Sequence, residues 1–401
     1  MKILYIWDAD YPWDVRVEKI CHALMAGGHE VHVAARNLKK RPVYEDVGGL
    51  HVHRIKSRSH DGLNYFASFP LFCSPVWKRF LDSIIRDRGI ELIVVRDLPM
   101  AIAGIWAGRR AGIPVVFDMA EDYVSLIRDI WDDRKFQGLN LVVRNPYLAR
   151  LVERYTFRHI DEIMVVVDEA RDVVIQGGGD ADKVTLVGNT PDLDGIGGPV
   201  SAEPDETLEK IRSHYSVIYT GGIQLGRGLQ VVFEAIPEIV RQIPDFRLVV
   251  VGDGYASEIL KKMMREQGVD GYVFWLGWVP HTQLPAYLHA CRVGIVPHYT
   301  SDHVNTTIPN KIFDYMGCGL PVLASDAKPM KRVIEQERCG RTFPSGNAAE
   351  LSKALLEIRG HEAGLGANGR RAVLEKYNWQ EDTKRLLRLV EGLGSKRVGA
   401  C

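Results

Sequence analysis

The stretch Cys291–Asp326, CRVGIVPHYTSDHVNTTIPNKIFDYMGCGLPVLASD, holds the pattern from which the fold of the chain can be predicted. It predicts a short buried strand over Val293–Pro297, a polar loop, a helix, a tight turn at Gly317-Cys318-Gly319 and a second strand that begins at Leu320. A strand followed by a polar loop and a helix N-terminus is a common anion-binding unit of parallel α/β sheets. We therefore expect a parallel α/β fold with an anion site in this stretch.

The helix of this stretch carries the first candidate binding residues. Thr307 and Pro309 mark its predicted start, because a threonine hydroxyl can cap free amides and proline suits the first helical turn. Asn310 and Lys311 follow, and Asp314 lies one turn beyond Lys311. A cation and a carboxylate one turn apart suit a ligand with both a phosphate and a diol, so we expect a nucleotide.

The composition indicates a soluble globular protein that is long enough for two domains. The chain has 401 residues, and 46% of them are hydrophobic. Basic and acidic residues both number 51, so the formal net charge is zero, which argues against a nucleic-acid partner. The six cysteines are scattered and form no Cys-x-x-Cys pair, which favours a reducing cytoplasmic location.

Targeting and membrane signals are weak. Met1-Lys2 leads directly into an apolar strand, so we expect no signal peptide, and apolar stretches such as Met100–Gly108 are too short to cross a bilayer. Arg144–His159 mixes arginine with leucine, tyrosine and phenylalanine at helical spacing, which suits an anionic lipid surface. An ordinary helix with a solvated basic face is the favoured alternative. We expect a cytoplasmic protein, peripheral at the inner membrane face at most.

Strands and helices alternate along both halves of the chain, which predicts parallel sheets covered by helices on both faces. The first predicted domain covers residues 1–194 and the second covers residues 215–378. A segment rich in glycine, proline and acidic residues predicts a linker over 195–214. A C-terminal helix over 379–395 is predicted to pack back on the first domain. The predicted fold is α/β, with two doubly wound Rossmann-like domains that face each other across a crevice.

Two glycine-rich segments follow predicted strands of the second domain. Gly221–Gly228, GGIQLGRG, opens a helix, and its free amides together with Arg227 can hold a phosphate. A glycine-rich turn with a solvated arginine is an equally open interpretation. The segment lacks Gly-Lys-Ser/Thr and Gly-x-Gly-x-x-Gly, so it is neither a P-loop nor a dinucleotide fingerprint. In Gly252-Asp253-Gly254, the aspartate is predicted to cap a helix and the glycines to keep the floor of the crevice open.

The acidic motifs make poor candidates for metal sites. Asp8-Ala9-Asp10 and Asp192-Leu193-Asp194 are paired carboxylates of the kind that hold a divalent metal, but one ends a strand and the other borders the linker. Asp118-Met119-Ala120-Glu121-Asp122 ends another strand of the first domain, and its carboxylates either order the loop or bind acceptor hydroxyls. No histidine pair has zinc-site spacing, and no Gly-x-Ser-x-Gly is present. We expect no metal.

Together these motifs resemble the GT-B glycosyltransferases of family 4, which are retaining enzymes that use nucleotide sugars. The resemblance covers nearly the whole chain, is strongest over Val217–Ser325, and points to bacterial polysaccharide-type members. Arg227-Gly228 matches a basic residue and glycine that follow the family's first glycine loop, and Gly252-Asp253-Gly254 matches its Gly-x-Gly. Gly277-Trp278-Val279-Pro280 matches the segment near the base. Asp314 matches the acid that holds the ribose hydroxyls.

The chain departs from the family pattern at several positions. Gly222 stands where the family has a second basic residue, and Thr306 stands where it has the first of two acids. Ala120 replaces a histidine in the first domain. The usual glycine-rich first loop is replaced by a segment with Asp14 and Arg16, which become candidate contacts for an acceptor or a phosphate.

The resemblance implies transfer of a hexose-type sugar from a UDP- or GDP-sugar to a glycan, lipid-linked or small-molecule acceptor, with retention and without a cofactor. The catalytic residues that we expect are Arg227, Lys311, Asp118 and Glu121. The donor contacts that we expect are Gly221, Gly222, Gly252, Gly254, Trp278, Val279, Thr306, Thr307, Asn310 and Asp314. Two alternatives stay open: a sugar-nucleotide epimerase on the same fold, and a non-catalytic nucleotide-sugar-binding subunit.

Overall fold

The computed structural model describes residues 1–12, 14–70, 74–133, 144–195, 206–280 and 282–398. Contacts within the chain divide it into two compact units. The first unit comprises Met1–Gly188 and Asp382–Cys401, and the second comprises Asn189–Glu381. Each unit is an α/β domain built on one sheet whose strands are wholly or largely parallel.

Among the described residues, the sheet of the first unit has eight strands. They are β1 Lys2–Asp10, β2 Glu30–Arg36, β3 Tyr44–Val47, β4 Leu50–Arg54, β5 Leu92–Arg96, β6 Val115–Met119, β7 Glu162–Val165 and β8 Val184–Leu186. Their spatial order is β3-β4-β2-β1-β5-β6-β7-β8, and only β3 and β4 pair in antiparallel fashion. The order reverses between β1 and β5, so the carboxyl ends of these two strands form a topological switch point.

Helices connect these strands. They are α1 Val15–Ala26, α2 Asp61–Ala67, α3 Pro75–Arg88, α4 Leu98–Ala111, α5 Tyr123–Asp133, α6 Pro146–His159 and α7 Asp168–Gln176, with a short 3-10 helix at Ala181–Lys183. A Cβ at Gly104 of α4 would lie 2.2 Å from Val95 Cγ2, and one at Gly108 would lie 2.3 Å from Val115 Cγ2. These glycines therefore let α4 pack directly on β5 and β6, where side chains are close-packed and leave no room for another methyl group.

The sheet of the second unit, as far as its residues are described, has six strands, all parallel. They are β9 Tyr215–Thr220, β10 Phe246–Val251, β11 Val273–Gly277, β12 Val293–Val296, β13 Val322–Ser325 and β14 Gly340–Phe343. Their order is β11-β10-β9-β12-β13-β14, the doubly wound arrangement, with its switch point between β9 and β12. Every residue of β9 and β12 is buried, as expected for central parallel strands covered on both faces.

The helices of the second unit are α8 Glu206–Arg212, α9 Leu229–Gln242, α10 Ser257–Glu266, α11 Leu284–Ala290, α12 Lys311–Gly317, α13 Lys328–Glu337, α14 Ala348–Ile358 and α15 Glu362–Glu375. Short 3-10 helices lie at Leu193–Gly195, Leu225–Arg227, Asp270–Tyr272 and Val304–Thr306. The last helix, α16 Trp379–Val398, begins in the second unit and belongs to the first from Asp382 onward. A Cβ at Gly27, which ends α1, would lie 2.5 Å from Leu387 Cδ2, so this glycine makes room for α16.

Two predicted boundaries need correction. The predicted linker over 195–214 is too long, because residues 206–212 form α8; residues 196–205 lie outside the described part of the chain. Gly221–Gly228 opens a helix as predicted, since Gly228 is the N-cap of α9, and a 3-10 turn at Leu225–Arg227 lies within the segment. Thr307 does not cap α12, which begins at Lys311. None of the described helices is both long and apolar enough to cross a membrane.

Candidate functional site

The loops that follow β9 and β10 pack against each other through glycine. Gly252 has φ 138° and a Cβ there would lie 2.0 Å from the carbonyl oxygen of Gly221, while a Cβ at Gly254 would lie 2.2 Å from that of Ile223. Only glycine, which has no Cβ, is compatible with such backbone contacts, and at Gly252 the positive φ favours glycine as well. The predicted donor contacts Gly252 and Gly254 thus have a structural role in joining the two loops, and their backbone forms the floor beside the switch point of the second unit.

Gly221 leaves room for the side chain of Lys311. Its φ of 110° favours glycine, and a Cβ there would lie 3.2 Å from Lys311 Nζ. The ammonium group also lies 3.9 Å from the centroid of the Tyr219 ring, within range of a cation–π contact. By contrast, Gly222 is exposed, and a Cβ there would have no neighbour closer than 4.0 Å. Gly221 therefore helps to seat the lysine, whereas Gly222 leaves open space where the family has a basic side chain.

Helix α12 is held against the central strands by Tyr315. The backbone N–H of Thr220, the last residue of β9, donates to the Tyr315 hydroxyl at 2.9 Å. The Tyr315 ring fills the space left by Gly294 of β12, where a Cβ would lie 2.2 Å from the ring. Tyr315 thereby fixes Lys311 and Asp314 at the carboxyl ends of β9 and β12. These two residues lie one helical turn apart.

Three basic side chains meet at this switch point. Nη1 of Arg227 lies 3.2 Å from Nδ1 of His298, the second residue after β12. Burial, Lys311 and Arg227 together hold the pKa of His298 well below its ordinary value, so the imidazole is neutral. Burial and Arg227 likewise hold the pKa of Lys311 well below its ordinary value, against the opposing effect of Asp314. The cluster is therefore short of negative charge, and an anion would stabilise it.

The other predicted donor contacts surround this cluster less tightly. Trp278 follows β11 and is 74% exposed, and Val279 is half-buried beside it. Asn310 is exposed just before α12 and makes no side-chain cap, and Thr307 is extended backbone. The Thr306 hydroxyl donates to the carbonyl of His303 at 2.9 Å, which ties it into the 3-10 turn.

In the first unit, Asp118 and Arg16 form a buried ion pair. Arg16 Nη2 donates to Asp118 Oδ1 at 2.6 Å, and Arg16 Nη1 donates to the carbonyl of Gly188 at 3.0 Å. The Tyr5 hydroxyl donates to the other carboxylate oxygen, Oδ2, at 2.6 Å. Burial opposes ionisation of Asp118, but Arg16, Arg96 and these hydrogen bonds outweigh it and hold its pKa below the ordinary value.

This geometry corrects two predicted roles. Asp118 has no exposed surface, and only 4% of Arg16 is exposed, so neither side chain is available to an acceptor or a phosphate. Asp14 caps α1 by accepting from Val17 N–H at 3.0 Å and accepts from Arg96 Nη1 at 2.9 Å. These contacts hold the first unit together. Glu121 is half-buried after β6, and its catalytic role stays a prediction.

Asp97 was not predicted and has the features of a functional residue. It follows β5 at the switch point of the first unit with φ 58° and ψ 170°, a region that non-glycine residues rarely occupy. Oδ2 accepts from Arg96 Nε at 3.0 Å, while Oδ1 is buried without a hydrogen-bond partner among the described residues. Burial raises its pKa to about 7, although Arg96 opposes the shift. The sequence signal that could have found it is a carboxylate directly after a buried strand, a position similar to that of the acidic motif Asp118–Asp122 at the end of β6.

Comparison with known proteins identifies the family. Residues 214–360 match the model of the group 1 glycosyl transferases, and residues 14–190 match that of the glycosyl transferase 4-like domain. The chain belongs to family 4 of the GT-B glycosyltransferases. The two models cover the cation cluster of the second unit and the switch point of the first, except for the residues before 14. The predicted family and fold class are confirmed.

Individual relatives are distant. The chain is 26% identical over 172 residues to a GDP-mannose-dependent alpha-(1-6)-phosphatidylinositol monomannoside mannosyltransferase of Mycolicibacterium smegmatis, a match over 41% of this chain and 45% of that protein. It therefore spans less than half the length of this relative. It is 20% identical over 380 residues to an uncharacterized glycosyltransferase of Methanocaldococcus jannaschii, a match over 92% of this chain and 91% of the relative.

Solved structures show the same fold along the whole chain. Sucrose-phosphate synthase from Thermosynechococcus elongatus superimposes with a TM-score of 0.76 at 18% identity, over 98% of this chain and 99% of that one. Anabaena HepE in complex with UDP-glucose gives a TM-score of 0.68 at 17% identity, over 98% and 100% of the two chains. At these identities the likeness concerns the fold alone.

Proposed function

We propose that this glycosyltransferase moves a hexose from a UDP- or GDP-sugar to a hydroxyl acceptor, with retention at the anomeric carbon. The observation that carries the proposal is the cluster of Arg227 and Lys311 at the switch point of the second unit. Ligands of doubly wound domains bind at this position, and two cations there suit a diphosphate.

The same two cations suit the chemistry of the transfer. As the bond from the sugar to the diphosphate breaks, negative charge develops on the leaving oxygen, and cations already in place stabilise it without reorganisation. Lys311 is held in surroundings that disfavour its charged form, so an anion beside it favours the ammonium. Binding of the donor diphosphate thus stabilises the charged form of Lys311, which is disfavoured in the free protein.

The remaining parts of the donor are assigned by the resemblance. Asp314, half-buried one turn after Lys311, is proposed to bind the ribose hydroxyls. The segment with Trp278 and Val279 is proposed to contact the base. One relative is named as GDP-mannose-dependent and one structural neighbour holds UDP-glucose, so we propose either guanine or uracil as the base of the donor.

We further propose that transfer is independent of metal. Arg227 and Lys311 supply the positive charge that Mg²⁺ supplies in many nucleotide-sugar enzymes. Among the described residues, no group of three or more histidine, cysteine or acidic side chains is arranged to hold a metal ion. Activity that is unchanged by EDTA would support this proposal, and activity restored only by added Mg²⁺ would contradict it.

For the acceptor, we propose a lipid-linked hydroxyl presented at an anionic membrane surface. Tyr147 and Leu151 of α6 are 79% and 61% exposed, and Arg150, Arg154 and Arg158 of the same helix are exposed too. Exposed apolar side chains next to arginine suit insertion at the headgroup level of anionic lipid. One relative is named for transfer to a phosphatidylinositol monomannoside.

Sedimentation with vesicles tests the membrane proposal. Binding to vesicles rich in phosphatidylglycerol, but not to pure phosphatidylcholine, is expected, together with a loss of binding in Leu151→Glu. Ile259→Glu, at a position 50% exposed on α10 of the second unit, is the matched control and should bind as the wild type does. Equal binding of Leu151→Glu and wild type would show that α6 is an ordinary solvated helix.

The first test of the function is thermal unfolding in the presence of UDP, GDP, ADP and their sugars, with and without EDTA. A ligand that binds only the folded state raises Tm. A shift with one nucleotide that is lost in Asp314→Ala would support the donor site and identify the base.

Product analysis then separates transfer from the two alternatives. Nucleoside diphosphate released faster in the presence of an acceptor, with the donor's anomeric configuration kept in the product, is expected of a retaining transferase. Conversion of the sugar nucleotide to its epimer without release would favour the epimerase, and tight binding without turnover would favour the binding subunit.

A further inference from the structure

The Arg227 side chain is positioned by a residue from a distant part of the chain. His298 lies 71 residues after Arg227 in sequence, yet its ring nitrogens Nδ1 and Nε2 lie 3.2 Å and 3.5 Å from Arg227 Nη1. A guanidinium can only donate hydrogen bonds, so the ring nitrogen that faces it must be an unprotonated acceptor. The contact therefore requires a neutral His298.

The backbone holds these two residues together independently of their side chains. Gly228 has φ 73°, and a Cβ there would lie 1.8 Å from the carbonyl oxygen of Pro297, so the loop after β9 rests directly on the loop after β12. The N–H of Tyr299 donates to the carbonyl of Gly226 at 3.1 Å. These contacts flank Arg227 on one loop and His298 on the other, which makes their meeting a consequence of the fold.

His298 is not in a position to contact a ligand itself. Only 1% of its surface is exposed, whereas Arg227 is half-buried with part of its side chain accessible. Lys311 approaches from α12 and acts on both His298 and Arg227. Because the charge of Arg227 opposes that of Lys311, a hydrogen-bond acceptor such as His298 helps to hold the guanidinium in place.

We propose that His298 is a positioning residue for the donor diphosphate: its neutral imidazole accepts a hydrogen bond from Arg227 and so holds the guanidinium beside Lys311. The proposal rests on the proposed function only for the identity of the anion. A bound diphosphate then contacts two cations that are already in place. The free energy needed to hold Arg227 and Lys311 close together is supplied on folding, so binding does not have to supply it.

Binding measurements on the full chain test this proposal. Isothermal titration with UDP, GDP, uridine, guanosine and inorganic pyrophosphate is compared for wild type, His298→Leu and His298→Asn. Leucine removes the acceptor, while the asparagine Oδ1 replaces Nδ1 and cannot be protonated. His298→Leu is expected to weaken the binding of the diphosphates about tenfold, and His298→Asn about twofold or less. Nucleoside affinity should be the same in all three proteins, and His289→Leu, an exposed histidine on α11, should bind as wild type does.

A double-mutant cycle separates positioning from a merely structural role. If His298 acts through Arg227, His298→Leu has no further effect on diphosphate affinity in an Arg227→Met background. Thermal unfolding shows which variants are folded, and His298→Ala replaces His298→Leu if the latter does not fold. Unchanged affinity in His298→Leu, an equal loss in His298→Asn, or full additivity with Arg227→Met would each overturn the proposal.

The pyrophosphate arm distinguishes failure of this proposal from failure of the proposed function. A wild type that binds pyrophosphate but no nucleotide, with binding weakened in His298→Leu, would contradict the nucleotide-sugar donor and support the role of His298. If wild type and His298→Leu bind nucleoside diphosphates equally well, the result would support the nucleotide-sugar donor and contradict the role of His298. Binding of none of these anions would overturn both.

Discussion

The two units share a topology and differ in the charge at their switch points. In the first unit, Arg16 pairs with Asp118, and Arg96 pairs with Asp14, so these cations and carboxylates satisfy one another. In the second unit, Arg227 and Lys311 meet a neutral His298, and Asp314 does not outweigh the cost of burial. A cluster in which cations and carboxylates balance stabilises a domain. A cluster with excess positive charge is stabilised when it binds an anionic ligand. Charge balance therefore separates the structural site from the binding site better than residue type does.

The largest effect is expected from breaking the balanced cluster. Asp118→Ala leaves Arg16 buried with its main partner removed, and breaking a buried ion pair costs about 3–5 kcal/mol of unfolding free energy. Urea denaturation followed by circular dichroism measures this loss. Asp182→Ala, at an exposed position of the 3-10 helix before β8, is the control and should cost less than about 1 kcal/mol.

Where Asp118→Ala is folded, its affinity for the nucleoside diphosphate should equal that of wild type, because the donor is proposed to bind the second unit. A stable Asp118→Ala with impaired catalysis would instead restore the catalytic role predicted from the sequence.

These pairings show which parts of the site are predictable from sequence. The strand over Val293–Val296, the following helix and the candidate residues Arg227 and Lys311 all follow from local patterns of apolar residues and glycine. The partners of the charged residues do not: Arg16 meets Asp118 from 102 residues away, because β1 neighbours β5 and β5 neighbours β6 in space. A strand-end aspartate looks the same in the sequence whether the sheet order gives it a buried arginine or a free surface.

The predicted start of α12 is wrong for a different, local reason. Thr307 was predicted to cap this helix, yet the chain first makes the 3-10 turn Val304–Thr306, in which the Thr306 hydroxyl bonds to a backbone carbonyl. Threonine hydroxyls compete for nearby backbone groups in several geometries of similar energy. The positions of Lys311 and Asp314 are unaffected by this difference, since Lys311 is the first residue of the helix and Asp314 lies one turn later.

The next largest effect is expected from removing charge from the unbalanced cluster. Lys311→Met keeps the length and apolar stem of the side chain, and we expect donor affinity to fall about 100-fold, because a hydrogen bond to a charged group contributes about 1.5–3 kcal/mol. Stability should be kept or raised, because a lysine whose folded pKa lies below its unfolded value destabilises the protein wherever the unfolded chain is protonated. Titration calorimetry and thermal unfolding measure the two quantities.

Lys262→Met, on the exposed face of α10, is the matched control for this change and should leave donor affinity unaltered. A fall in stability in Lys311→Met comparable to that of Asp118→Ala would mean that the second cluster is structural as well, and that the contrast between the two units fails.

The smallest of these effects concerns Asp97, the residue that does not fit the balance of the first unit. Its pKa is raised to about 7, so between the ordinary carboxyl range and pH 7 the folded protein binds more protons than the unfolded chain. Stability must then fall as pH rises through this window, and the full penalty is present above pH 7. Asp97→Asn keeps the strained backbone and removes the charge, so the variant should gain about 2 kcal/mol relative to wild type between pH 5 and pH 8. Urea denaturation at a series of pH values measures the difference, and parallel profiles for the two proteins would show that Arg96 balances Asp97 fully.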